Sequence, residues 1–345
     1  MTYILSFIVA FGVTAIAGQI LIPVLRRLKA GQSIREDGPT WHMSKQGTPT
    51  MGGLMFILGI AVAVVAAGWQ DFQHGLHNHI VVFLFALVFG AIGFIDDFQK
   101  LRHHANEGLT APQKFLLQLA AAIVFTLLLR QDGYLSPDLY IPFFNIEIVG
   151  IPWVIYMVFA AFVMVGTVNA VNLTDGIDGL ATGVTIPVMI FYVAVSAWYG
   201  KSDLVTVSAA MAGGLSAFLI YNFHPAKVFM GDTGSLFWAR GVRHGLCPGP
   251  APVIPIVGLV YVLEVLSDII QVVYLQEDRR QAAFPHGPSA PPPGAGRLER
   301  GEAVLCVLRR DPAGLCAGLP WSHGPVIHPE LRERRGAPWQ NASAT

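Results

Sequence analysis

The sequence predicts an all-α polytopic integral membrane protein, and three observations carry that reading. Of 345 residues, 53% are hydrophobic and only 13% are charged, against about 25% charged in a soluble domain. The mean hydropathy is +0.54. Apolar runs long enough to cross a bilayer as helices recur along the first 275 residues. Strands of a β-barrel would be much shorter and would alternate, so a barrel is not expected.

Eight runs qualify: 3–25, 52–69, 79–95, 115–130, 151–170, 181–198, 205–222 and 254–275. The first resembles a secretion signal but lacks a basic leading region and a small-residue cleavage site. Arg26, Arg27 and Lys29 follow it, so it reads as a retained helix. The run 115–130 is short and can extend at either end. Gly-Gly pairs at 52–53 and 213–214 permit close helix contact.

Lysine and arginine in short loops set the topology. Loop 26–51 holds Arg26, Arg27, Lys29, Arg35 and Lys45, and loop 96–114 holds Lys100, Arg102 and Lys114. The stretch 131–150 has acids but no Lys or Arg, and Lys201 is alone in 199–204. The first two loops are therefore expected on the cytoplasmic face, and counting onward adds 171–180 and 223–236. The formal net charge is zero, so global charge implies no nucleic-acid partner. Cys247, Cys306 and Cys316 have neither zinc spacing nor an even count.

Those four loops hold nearly all the unusual polar groups. Asp96 and Asp97 are adjacent at the end of an apolar run. Like charges so close call for a cation, and Mg²⁺ takes hard oxygen ligands that it shares with phosphate. A solvated helix end is the bland alternative. Asn169, Asn172, Asp175 and Asp178 recur at three-residue intervals in NAVNLTDGIDGLATG (169–183), and the two acids can share a helical face. A capped polar loop competes with that reading. In NFHPAKVFMGDTGSL (222–236), Gly231 and Gly234 flank Asp232 and Thr233, suiting a tight turn that exposes a carboxylate. Lys227 can meet an anion there. SKQGTPTMGG (44–53) offers Lys45, Thr48 and Thr50 before a span, with Lys100, Lys114 and Gln118 across the neighbouring loop. Each lysine alone fits the ordinary cytoplasmic excess of positive charge. Together, acids that hold a metal and bases that hold phosphate suit phosphoryl transfer, which needs positioning and charge stabilisation. No GxxxxGK[ST] phosphate loop is present.

Four ordered segments carry a resemblance: DGPTWHMSKQGTPTMGG (37–53), GFIDDFQK (93–100), NAVNLTDGIDGLATG (169–183) and HPAKVFMGDTGSL (224–236), with a weaker YVLEVLSDIIQVV (261–273). The chain resembles the bacterial phospho-N-acetylmuramoyl-pentapeptide transferases, within the polyprenyl-phosphate N-acetylhexosamine-1-phosphate transferase family, over residues 1–275. The resemblance implies Mg²⁺-dependent transfer of a phosphosugar from a UDP-linked muramoyl pentapeptide to undecaprenyl phosphate, giving UMP and lipid I in peptidoglycan synthesis. It implies a multi-pass protein of the bacterial cytoplasmic (inner) membrane, lipid-embedded, with a homodimer as a candidate assembly. By motif, Asp96, Asp97 and Asp232 are the implied catalytic acids. Asp232 is the first metal ligand implied, with Asp175 as a second, and Asp96 deprotonates or orients the lipid phosphate. Lys45, Thr50, Asn172, Asp175, Asp178, Phe229, Gly231, Ser235 and Gln271 are the implied nucleotide and metal surroundings, and Lys100 and Lys114 match positions near phosphate. The GlcNAc-1-phosphate branch, a membrane transporter and a damaged, inactive transferase are the alternatives. A transporter would place ionisable groups near mid-span, where only Glu264 and Asp268 are exceptions in the last run.

The chain departs from the family pattern in two places. The family implies ten spans, the eighth starting just after MGDTGSL, where this chain has FWARGVRHGLCPGPAPV (237–253). It also implies a His-His-His segment and a tenth span, where this chain has an Arg-, Pro- and Gly-rich tail (276–345). Ala290–Ala295, written GCA CCA CCA CCT GGA GCT, conceals CAC CAC CAC CTG one base later, which encodes His-His-His-Leu. Shifted reading frames over 237–253 and 277–345 are therefore expected, with a basic tail on the lipid surface as the competing reading.

Overall fold

Among the described residues, seven helices of the computed structural model are long and apolar enough to cross a membrane. They are α1 (Thr2–Arg27), α2 (Gly53–Gln73), α3 (Asn78–His103), α4 (Ala111–Gln131), α5 (Trp153–Thr174), α6 (Leu180–Trp198) and α7 (Ser202–Asn222), and a short α8 (Gly231–Leu236) follows. The structure describes residues 2–28, 47–103, 108–131, 137–141, 146–237 and positions 261, 263 and 266. The polytopic α-helical fold is the one expected. Of the eighth run, 254–275, the three described positions are helical. Buried Tyr261 meets Thr185 of α6 through its hydroxyl. The remainder of that run, with Glu264 and Asp268, lies outside the described residues, as does the tail 276–345.

Helices α3 and α5 outrun their expected ends, and both extensions carry site residues. Helix α3 continues through Asp96, Asp97 and Lys100, which the apolar run alone had placed in a loop. Phe98–Leu101 has no helix breaker, and Lys100 pairs with Asp96 one turn back. Helix α5 runs to Thr174, so Asn169 and Asn172 are helical. Asp175 and Asp178 do not share a helical face: both lie in the turn 175–179, which ends on left-handed Gly179 (φ +75°). The stretch read as a loop between α4 and α5 contains a small antiparallel ladder, β1 (Leu139–Ile141) with β2 (Ile146–Ile148), pairing Tyr140 with Glu147.

Helix α7 lies at the centre, with 78% of its most apolar stretch buried. Around it Phe56, Ile60, Met211, Leu215 and Phe218 join α2 and α7 in one core with residues of α1 and α6. Gly213 of α7 lies against the Phe7 backbone of α1, the close approach its glycine pair permits. A second core joins α3, α4 and α5 through Phe89, Phe125, Tyr156 and Met164, with Phe85 stacked on Phe125. Phe237, the first residue of the irregular segment, is fully buried and packs edge-on against Phe56 and Phe83.

These contacts fix which ends meet. The start of α2, the ends of α3, α5 and α7, and the start of α6 converge around α8. At the opposite end, Asp71 of α2 meets Ser202 and Thr206 of α7, and Ser6 of α1 donates to the Thr206 carbonyl.

Candidate active site

The site is built where two glycine-rich motifs are sewn together by backbone. Phe229 N–H donates to the Pro49 carbonyl at 2.8 Å, Gly52 N–H returns to the Phe229 carbonyl at 2.8 Å, and Gly53 N–H reaches the Met230 carbonyl at 2.9 Å. TPTMGG and VFMGDTG thus form one platform. Gly231 begins α8 at φ +70°. A β-carbon there would lie 2.6 Å from Asp97 Oδ2 and 2.7 Å from Thr50 Oγ1, so only glycine fits both the turn and the space.

On this platform Asp96, Asp97 and Asp232 gather, each offering one carboxylate oxygen within 4.8 Å of the others. Lys100 Nζ lies 2.5 Å from Asp96 Oδ2 and 2.9 Å from Asp232 Oδ2. Lys114, from the start of α4, reaches the same Asp232 oxygen at 2.9 Å. Asn172 of α5 donates to Asp232 Oδ1 at 2.6 Å and contacts Ser235 Oγ at 2.7 Å. Leu109 N–H donates to Asp96 Oδ1 at 2.8 Å. Asp97 Oδ2 accepts from Thr233 N–H at 2.8 Å and from the Thr233 hydroxyl at 2.7 Å. Burial opposes the charge of Asp232, but the adjacent Lys114 and Lys100 ammonium groups outweigh it. They hold Asp232 well below the usual carboxylate range.

Three carboxylates against two ammonium groups leave one negative charge uncompensated, and every candidate donor is a hard oxygen. That donor set fits a divalent cation of the Mg²⁺ type. The lysines and the Asn172 amide supply side-chain donors that a neighbouring anion could share.

Most of the residues predicted from sequence meet here: Asp96, Asp97, Asp232, Lys100, Lys114, Asn172, Ser235, Gly231 and Thr50, with buried Phe229 in the platform. Asp175 is the C-cap of α5 and stands outside the three-carboxylate group. Asp178 is buried and accepts from His224 Nδ1 at 2.9 Å and Ala226 N–H at 3.3 Å, so here it ties down the segment leading to the platform. Lys45 and Gln271 lie outside the described residues. Sequence reasoning gave no role to Thr233, whose hydroxyl beside an acid in GDTG was the available signal. It also passed over His224, and Asn222, which links Thr182 to the Val228 carbonyl. The Leu109 amide had no sequence signal at all.

Comparison with known proteins agrees with this geometry. A model described as "Glycosyl transferase family 4" matches residues 79–242, and a "Phospho-N-acetylmuramoyl-pentapeptide-transferase signature 1" matches 45–57. The chain is 44% identical over 276 residues to a phospho-N-acetylmuramoyl-pentapeptide-transferase of Staphylococcus carnosus, covering 79% of this chain and 84% of that one. It is 43% identical over 275 residues to the protein of that name from Oceanobacillus iheyensis, covering 78% and 82%. With that of Clostridium acetobutylicum it shares 43% identity over 276 residues, covering 79% and 84%. At this identity and coverage the chain belongs to the phospho-N-acetylmuramoyl-pentapeptide-transferase family, membrane transferases of the phosphosugar-transfer class.

Proposed function

We propose that this protein transfers phospho-N-acetylmuramoyl-pentapeptide from its UDP-linked donor to undecaprenyl phosphate, producing lipid I and UMP for peptidoglycan synthesis. An oxygen of the acceptor phosphate bonds to the sugar-linked phosphorus of the donor, and the bond from that phosphorus to UMP breaks. The observation that carries the reading is the gathering of Asp96, Asp97 and Asp232 with Lys100 and Lys114 at one end of an apolar bundle, where a membrane-bound acceptor and a water-soluble donor can meet.

The obstacle in this reaction is bringing two phosphate anions together. Mg²⁺ held by Asp232 would supply Lewis-acid charge neutralisation. Lys100 and Lys114 add positive charge on the same side and move from carboxylate to phosphate oxygens as substrate enters. Asp96, buried at the end of α3, takes the acceptor's proton or orients its phosphate. Asn172 fixes the orientation of Asp232. Thr50, Phe229 and Ser235 line the platform, and Lys45, Asp175, Asp178 and Gln271 are assigned to donor recognition by motif.

Arg26 and Arg27 end α1 near this face, and Lys100, Arg102, Lys114 and Lys227 share it. That excess supports a cytoplasmic site in the bacterial inner membrane. The transporter reading is weaker, because the described acids with lysine partners sit at this end rather than at mid-span.

The test is donor choice. Purified protein in lipid, given undecaprenyl phosphate and Mg²⁺, should release UMP from UDP-N-acetylmuramoyl-pentapeptide and not from UDP-GlcNAc. Preference for UDP-GlcNAc would move the chain to the other branch.

A further inference from the structure

We propose that Asp97 is a positioning residue, clamping the Gly231–Thr233 turn so that the Asp232 carboxylate is aimed at the reacting phosphates. This rests on the phosphosugar-transfer reading and divides the labour among its three acids.

The three carboxylates are held in different ways. Asp232 is met by the side chains of Lys100, Lys114 and Asn172, which can rotate toward a ligand. Asp97, only 3% exposed, is met by groups fixed in the chain. Thr233 N–H and the Thr233 hydroxyl donate to Oδ2 at 2.8 and 2.7 Å, and Asp232 N–H donates to Oδ1 at 3.3 Å. A carboxylate has about four lone-pair sites, so most of Asp97's capacity is used in the turn that carries Asp232.

The turn needs such a clamp. Helix α8 has six residues, far fewer than a helix stable by itself. Gly93, one turn before Asp97 on α3, lies directly against the Asp232 carbonyl. Asp97 holds the same turn from the α3 side, and at Gly231 the turn passes so close to Asp97 and Thr50 that a β-carbon would not fit. Asp232 therefore inherits its direction from α3 through Asp97.

The experiment uses purified full-length protein with Thr233→Val, Thr233→Ser, Asp97→Asn and the Thr233→Val/Asp97→Asn double change. It measures kcat, KM for the UDP-linked donor, Mn²⁺ affinity by electron paramagnetic resonance, and thermal unfolding. Loss of one hydrogen bond to a buried charge predicts about a tenfold fall in kcat for Thr233→Val, with a similar loss of Mn²⁺ affinity and little change in donor KM. Thr233→Ser should recover most of both. The double variant should be no worse than Asp97→Asn alone, because both changes open one clamp. Thr233→Ala serves if the valine variant does not fold. Wild-type kcat and Mn²⁺ affinity in a folded Thr233 variant lacking the hydroxyl, alongside an inactive Asp97→Asn, would overturn the proposal and give Asp97 a direct role. Failure of the wild type to transfer phosphosugar would instead remove the proposed function, and the Mn²⁺ comparison would still decide the clamp.

Discussion

Both ends of the helix bundle bury carboxylates, and they neutralise them by opposite means. At the site end, Asp96 and Asp232 are paired with Lys100 and Lys114. At the other end, Asp71 accepts from the hydroxyls of Ser202 and Thr206. Asp203 there accepts from Asn78 N–H and its own neighbour Leu204 N–H. The acids at that end are spent on fastening the α2–α3 turn to the start of α7, with neutral donors fixed by the fold. Asp96 and Asp232 at the site end face lysine side chains that can exchange one anion for another, whereas Asp97 beside them is held by backbone and hydroxyl donors of the turn. Burial of a carboxylate therefore does not mark chemistry. The nature of its partners does, because exchangeable charged donors can follow a reacting phosphate and backbone or hydroxyl donors cannot.

Changes at the site end should break that contrast most severely. Asp232→Asn removes the charge on which two lysines and the proposed cation converge. It should lower kcat by about a thousandfold or more while the thermal transition persists. Gly231→Ala forces a side chain into a left-handed turn already filled by Asp97 and Thr50. A fall of about a hundredfold in turnover is expected, read in the same assay. Lys114→Met leaves Lys100 in place. It should raise KM for the UDP-linked donor about tenfold with a smaller effect on kcat.

At the opposite end the effect should appear in stability instead. Asp71→Asn leaves a buried amide facing two hydroxyls and should cost about 1–3 kcal/mol, seen as a lower midpoint of thermal unfolding. Turnover of the folded fraction should stay within about twofold, as for a change distant from the site. A large loss of kcat with an unchanged midpoint would erase the distinction between the two ends.

The sequence made the helices legible because each long apolar run has one stable solution in lipid. It also made most of the site legible: adjacent Asp96 and Asp97, and Asp232 between glycines, announce charge that needs a partner. What it hid was where the helices stop. Apolar character ends before α3 does, so Lys100 looked like a loop residue, although the helix carries it one turn above Asp96. The three-residue spacing of Asp175 and Asp178 suggested a shared face, but Gly176 and Gly179 end that helix first. Backbone donors such as Leu109 and Thr233 N–H leave no trace in side-chain chemistry. The small β1–β2 ladder was hidden in the same way, since three-residue strands are too short to show alternation. For 237–253 and 277–345 we propose shifted reading frames. Resequencing the gene should restore an apolar span and a His-His-His segment, and identical reads would refute that.

The most direct test is UMP release counted against lipid-linked product while Mg²⁺ is titrated, for the wild type, Asp232→Asn and Asp71→Asn in the same lipid. The account predicts one UMP per lipid product, strict dependence on the divalent cation, near-complete loss in Asp232→Asn and full retention in folded Asp71→Asn. Normal Mg²⁺-dependent release from Asp232→Asn would contradict it.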